Sequence, residues 1–189
     1  MDSKSPFLYV ANNLAIDFVN TTIQKFGIPY ELLNNKSDLL LWVKSAGINL
    51  QTQVAEIDLK NIYQFREALK TLFEAKMQNS RLPESAIIIL NSHLKNAPTQ
   101  QQLEQNTASV ELQPLNAHLS VSEVLGEIAR QAALILVSTN NLPIKSCASE
   151  KCILMFLDTS KAKKRRWCSM EICGNRAKAA TYYQSAKPE

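Results

Sequence analysis

The sequence predicts an α+β chain that is mainly helical, with a small β-hairpin in its N-terminal part and a compact cysteine-bearing module at its end. Three observations predict this. Apolar residues recur at helical spacing through most of residues 1–143, one short region alternates as strands do, and all four cysteines fall in the last quarter of the chain.

Leu8, Ala11, Ala15, Phe18, Val19, Thr22 and Phe26 share one helical face, so residues 7–26 read as a helix that Gly27 and Pro29 end. Ser37-Asp38 offers a cap and an N-terminal carboxylate to a short helix over Leu39–Lys44, with Gly47 as its stop. From Asp58 to Gln78 the positions Leu59, Ile62, Phe65, Leu69, Leu72, Phe73 and Met77 keep a period near 3.6, the strongest helical pattern in the chain. Pro83 suits a first helical position and opens a helix over Glu84–Lys95. Residues 96–106 lack a pattern and read as a loop. Residues 109–113 and 118–121 alternate and could pair as a hairpin around 114–116. Ser120-x-x-Glu123 is a capping box for a second apolar helix that ends near Asn140-Asn141. Leu142-Pro143 then marks a boundary between a body, residues 1–143, and a tail, residues 144–189.

Composition excludes several classes. The chain has 189 residues, of which 46% are hydrophobic and 20% charged, so it is neither a disordered polymer nor a small stapled scaffold. No apolar run approaches the roughly 20 residues of a membrane span, and Met1–Lys4 carry no signal-like pattern. A soluble, cytoplasmic protein is expected. Charge is uneven: residues 144–189 hold 10 Lys and Arg against 4 acids, a net of +6, whereas residues 1–143 carry −2. Such a tail points to an anionic partner, most often nucleic acid.

The tail reads Cys147-Ala-Ser-Glu-Lys-Cys152, fifteen residues, then Cys168-Ser-Met-Glu-Ile-Cys173. Two pairs at this spacing fit a closed site in which four thiolates surround one structural zinc ion, leaving no open position for catalysis. Metal binding would also supply folding free energy to a segment with few large apolar side chains. Two disulfides, four reduced cysteines or another metal are the other readings, and a reducing compartment favours the metal. Between the pairs, the apolar run Ile153–Leu157 and the lead-in Arg165-Arg166-Trp167 imply two short strands, and the Ala-rich stretch after Cys173 implies a helix. A knuckle, a hairpin and a helix carrying the last ligand at its start describe a treble-clef-like finger.

Arg165-Arg166-Trp167-Cys168-Ser169-Met170 followed by Cys173-Gly174-Asn175-Arg176 resembles the CGNR zinc-finger family, as do Cys147, Cys152 and Phe156-Leu157-Asp158-Thr159-Ser160. In that family the finger follows an N-terminal module called the ABATE domain, proposed as a stress-induced transcription regulator. Leu14-Ala15-Ile16-Asp17-Phe18-Val19-Asn20-Thr21 is similar to that module's opening motif, and Phe65-Arg66-Glu67-Ala68-Leu69 to a later stretch. The resemblance implies a DNA-binding finger beside a domain of unassigned role, with no enzymatic activity to transfer.

Lys163, Lys164, Arg165, Arg166, Arg176 and Lys178 are the candidate nucleic-acid residues. The bland alternative is that some only balance the −2 of a zinc tetrathiolate, above all the arginines beside ligand cysteines. Trp167 is expected to pack under the knuckle, Asp158 to close a turn or pair with an arginine, and His93 and His118 to be surface or edge residues. Asp17 and Asn20, polar groups in an apolar helix, are the one hint of a ligand pocket in the body, against a buried hydrogen-bonded pair. No Gly-rich phosphate loop, nucleophile elbow or paired-His motif is present, so no enzyme is expected. The expected function is transcriptional regulation: the finger on DNA, dimerisation to supply affinity, and the body sensing a small ligand or mediating assembly. A finger that binds protein rather than nucleic acid is the alternative.

Overall fold

In the computed structural model, which describes residues 5–51, 57–105, 107, 109–115, 118–138 and 143–185, the first helix starts from its cap. The Asn13 side chain accepts from the backbone N–H groups of Ala15 and Ile16 and opens α1 (Leu14–Val19). The periodicity of residues 7–26 predicts one long helix, and the structure shortens it to these six residues. The reason lies at Phe26 and Gly27, whose φ values are 53° and 84°. Two consecutive positive φ angles are what a type I′ two-residue hairpin turn requires. Strands β1 (Thr22–Lys25) and β2 (Ile28–Glu31) pair antiparallel across that turn, with Lys25 opposite Ile28.

Helix α2 (Lys36–Ser45) is capped by Asn35, two residues before the expected Ser37, through a bond from the Asp38 amide. Helix α3 (Leu59–Met77), capped by Asp58, agrees with its pattern and buries Ile62, Phe65, Leu69, Leu72 and Phe73. Helix α4 (Glu84–Leu94) follows Pro83, which takes the cap position rather than the first helical one. Residues 96–106 are not all loop, since residues 101–105 form β3 (Gln101–Gln105), and its partner is β4 (Val110–Pro114). Nor do residues 118–121 pair with that second strand. Leu119 is buried and bridges in parallel to Leu50, exchanging bonds with Asn49 and Gln51, whereas Leu103, Val110 and Leu112 stay exposed on a ribbon held by its own ladder. Burial of Leu119 decided the pairing. The capping box at Ser120 and Glu123 starts α5 (Val121–Val137) as expected. The predicted helix end at Asn140-Asn141, and Leu142 of the predicted boundary, lie outside the described residues.

The core gathers α1, α3 and α5 around aromatic rings. Phe18 lies 5.5 Å from Trp42 and 5.7 Å from Phe65, and all three are fully buried. Phe65 also stacks on His93 at 4.0 Å. His93 is therefore a core residue and not a surface one; burial, with Lys95 adding to it, holds its imidazole below the usual range. Arg66 is buried beneath the first hairpin, where its guanidinium forks onto the Glu31 carboxylate and Thr21 Oγ1.

In the tail, β5 (Ile144–Ser146) and β6 (Met155–Leu157) pair antiparallel, and a wide π-turn at 170–174 launches α6 (Asn175–Ser185). The expected hairpin between the cysteine pairs is thus displaced: β5 precedes Cys147, β6 follows Cys152, and residues 158–169 form no strand. Ile144 sits opposite Leu157 and both are buried, so the strands serve the shared core rather than the finger alone. One apolar cluster runs through body and finger.

The seam between them is polar and paired. Asn20 donates to Met155 O and accepts from Met155 N, each at 2.9 Å, and the Leu157 amide donates to Ala11 O at 2.9 Å. Removing the Asn20 amide would strand both backbone groups of Met155 away from water. Asn20→Ala should cost about 1–3 kcal/mol for each group left unpaired. Chemical denaturation of the metal-loaded protein would show it as a lowered midpoint.

Candidate metal centre and basic face

Four chain segments bring the sulfurs together. Cys147 leaves the end of β5, Cys152 ends a turn closed by its amide on Ser149 O, Cys168 closes the loop after Trp167, and Cys173 sits in the π-turn. All four Sγ atoms lie within 4.8 Å of one another. The separations Cys152–Cys168 at 3.7 Å and Cys168–Cys173 at 3.6 Å are close to the edge of about 3.8 Å expected of four sulfurs held tetrahedrally at about 2.3 Å from one ion. Cys147, Cys168 and Cys173 are buried and Cys152 half-buried, so the cluster is closed. The donor set fits a structural metal and leaves no room for a reacting ligand.

Electrostatics adds to the geometry. Without a cation the thiols compete: the hydrogen bond from Cys168 brings Cys152 down to about 5, whereas that same bond, with burial, pushes Cys168 well up, and burial first pushes Cys173 up to about 11. Ionising Cys152 thus opposes ionising its neighbours. A divalent cation removes that opposition. The Cys168 amide also points at Cys147 Sγ at 3.5 Å, a donor suited to an anionic sulfur.

Asp158 organises the loop that follows β6. It is fully buried, accepts from Ser160 N and Oγ through one oxygen, and from Lys145 Nζ at 2.7 Å and Arg165 N at 3.0 Å through the other. Burial alone would raise its carboxyl, and the bonds from Lys145, Ser160 and Arg165 together outweigh it, holding the group well below the usual carboxylate range. Lys145 reaches on to Lys163 O at 2.5 Å. Asp158 thus closes a turn, as expected, and its charge partner is Lys145 rather than an arginine side chain.

The six candidate nucleic-acid residues divide. Arg165 is engaged by protein: its guanidinium lies 4.3 Å over the Phe156 ring and donates to Trp167 O, Val10 O and Cys168 O, tying finger to body. Lys164, Arg166, Arg176 and Lys178 are exposed, and Lys163 is half-buried in a left-handed backbone position at φ 51°. Lys164 and Arg166 join Arg165, Trp167 and Met170 around a cleft of about 340 Å³. Trp167 is partly buried against the core with the Arg166 guanidinium 5.1 Å from its ring. A Cβ on Gly174 would stand 2.4 Å from Met170 Sδ and 3.2 Å from Trp167 Cδ1, so glycine there lets both side chains close over the π-turn. Arg176 and Lys178 lie beyond the cleft on α6.

Asp17 and Asn20 are both buried, and the partners of both are backbone. Asp17 Oδ1 accepts from Val10 N and Ala11 N, and Asn20 holds Met155. Neither lines the recess of about 360 Å³ between α5 and β6, whose walls include Asn13, Arg130, Leu134, Ile135 and Leu157. Sequence reasoning passed over Lys145 and the seam-forming role of Arg165. Nothing in the local sequence distinguishes those cations from the solvated ones around them.

A helical body joined to a closed four-cysteine finger is the class of protein that fold and site define. Models of two families match it in that order. Residues 12–139 match ABATE, described as "Putative stress-induced transcription regulator", and residues 144–186 match the CGNR zinc finger. The chain belongs to the ABATE family and carries a CGNR zinc finger at its end. No curated protein matches it. Among the described residues no helix is long and apolar enough to cross a membrane.

Chelation of the metal, or Cys173→Ser, should release Trp167 while the fully buried Trp42 stays shielded. A red shift of part of the tryptophan emission, with a lowered melting temperature, is the expected reading. A separate pH dependence should come from Asp17, whose carboxyl burial raises to about 7 against the pull of two backbone amides and Arg165. A folded-state value above the unfolded one means that its contribution is complete below about pH 4 and is lost as pH rises through 7. The melting temperature of wild type relative to Asp17→Asn should therefore fall between pH 5 and pH 8, acid loss of metal being common to both.

Proposed function

We propose that the protein is a cytoplasmic transcriptional regulator that binds DNA through its finger, with one structural zinc ion in the four-cysteine cluster. The observation that carries this reading is the set of exposed cations, Lys164, Arg166, Arg176 and Lys178, on a tail of net +6 around a cluster that has no open coordination position. Zinc is the reading for the metal because its thiolate sites are tetrahedral and closed when structural. Binding the ion reduces the tail's charge by 2, to +4, which still favours a polyanion. Asp158 and Lys145 hold the loop that carries Lys163 and Lys164, so those cations need less ordering when they meet a phosphate.

In this reading the body is a sensing or assembly domain without a catalytic step. The recess between α5 and β6 supports sensing, because Leu157 in its wall belongs to the finger's own hairpin. Assembly as a homodimer is supported by the first hairpin, where Ile28 and Tyr30 are exposed and Phe26 stands fully in solvent at its tip. One finger buries only about 600–1,000 Å² against DNA, and two would supply the affinity that one lacks.

The reading is tested by fluorescence anisotropy of a random-sequence duplex against zinc-loaded protein across salt concentrations. Log K should fall linearly with log salt, and Lys164→Ala with Arg166→Ala should reduce the slope by about 0.9 for each phosphate that the variant no longer neutralises. Absence of binding even at low salt would contradict the reading and turn attention to a protein partner for the finger.

A further inference from the structure

We propose that α6 is the base-reading element of the finger, laid in the major groove of duplex DNA with Asn175 and Arg176 on base edges. This rests on the DNA-binding reading above and adds to it the element that meets the bases. The exposure of α6 is what singles it out. Every residue from 175 to 183 is exposed except Ala177, which is half-buried. The helix holds two cations and no acid. At 11 residues it falls short of the roughly 12–15 at which isolated helices become stable in water, and it presents no apolar stripe to the core. Its fixed point is the π-turn at its start, where Cys173 enters the metal cluster.

Helical spacing sorts the exposed side chains. At about 100° per residue, Ala177 marks the inner side, and Thr181 beside it bonds back to Ala177 O at 3.1 Å. Asn175 and Ala179 lie opposite, Arg176 and Lys178 flank them, and Tyr182 and Tyr183 continue the same face with their rings 5.9 Å apart, edge to face. That order suits a groove. Asn pairs with the N6 and N7 atoms of adenine and Arg with O6 and N7 of guanine, and the small Ala179 admits a thymine methyl. A helix about 10–12 Å across fits a groove about 12 Å wide. The cleft walled by Lys164, Arg166 and Met170 abuts the N-terminal end of α6 through Met170, which places those two cations beside the base-reading end, where phosphates pass. With a length of about 16 Å, the helix reaches only a few base pairs, consistent with two copies on a paired site.

The test uses the full-length zinc-loaded protein. Sequences are first selected from a duplex library with a randomised centre, and affinity is then compared for the selected and a scrambled duplex. Arg176→Lys, which keeps the charge and removes the bidentate fork, and Asn175→Ala should each reduce the selected-to-scrambled ratio by roughly 5- to 150-fold with the salt slope unchanged. Lys164→Ala should weaken both duplexes alike and reduce the slope by about 0.9. Unchanged melting temperature and metal content confirm that the exposed variants fold. The inference is overturned if both α6 variants keep the wild-type ratio, or if wild type binds duplex but enriches no sequence. Failure to bind any duplex would instead remove the DNA reading on which it rests.

Discussion

Four sulfurs within 4.8 Å of one another are the constraint on which the rest of the tail depends. Four cysteines this close, three of them buried and one half-buried, can all ionise only if a cation balances them, so the arrangement fits a bound metal. The cluster fixes the end of β5, the turn before β6, the approach of Trp167 and the start of α6. Each of these would otherwise be a short segment with too little apolar surface to fold by itself. The polar loop 158–166, with most of the tail's charge, is then stretched between two fixed ends and stapled by Asp158.

The same constraint explains why the finger is not an independent bead. Once β6 is placed, Met155, Phe156 and Leu157 have nowhere to bury except against α1 and the body. The seam then needs hydrogen-bond partners, which Asn20, Ala11, Asn12 and Arg165 provide. Asn12 sits at φ 60°, a left-handed position suited to asparagine, and its amide reaches Leu157 O. A change in the body near α1 or α5 therefore bears directly on the strand that precedes the basic loop.

Much of this was legible in the sequence, and the failures have physical causes. The long helices α3 and α5 follow from apolar periodicity and caps, because packing and propensity agree there. The cysteine cluster follows from spacing. Residues 7–26 misled because β1 and β2 are half-exposed strands whose alternation is short, and the Phe26-Gly27 turn lacks the Asn-Gly or Asp-Gly signal. The second hairpin was misplaced because only tertiary burial of Leu119 distinguishes its strand from β4's partner. At the site, the ligands were readable and the division among the cations was not. Arg165 and Arg166 are neighbours in sequence, yet one ties finger to body and the other faces solvent, a difference set by the Phe156 ring on β6 and by Val10, which is remote in the chain.

The most direct measurement is metal analysis of the purified protein together with X-ray absorption at the zinc edge. One zinc per chain with four sulfur neighbours at about 2.3 Å is the result this account predicts. A first shell containing nitrogen or oxygen, or a metal-free protein whose cysteines are paired as disulfides, would contradict it.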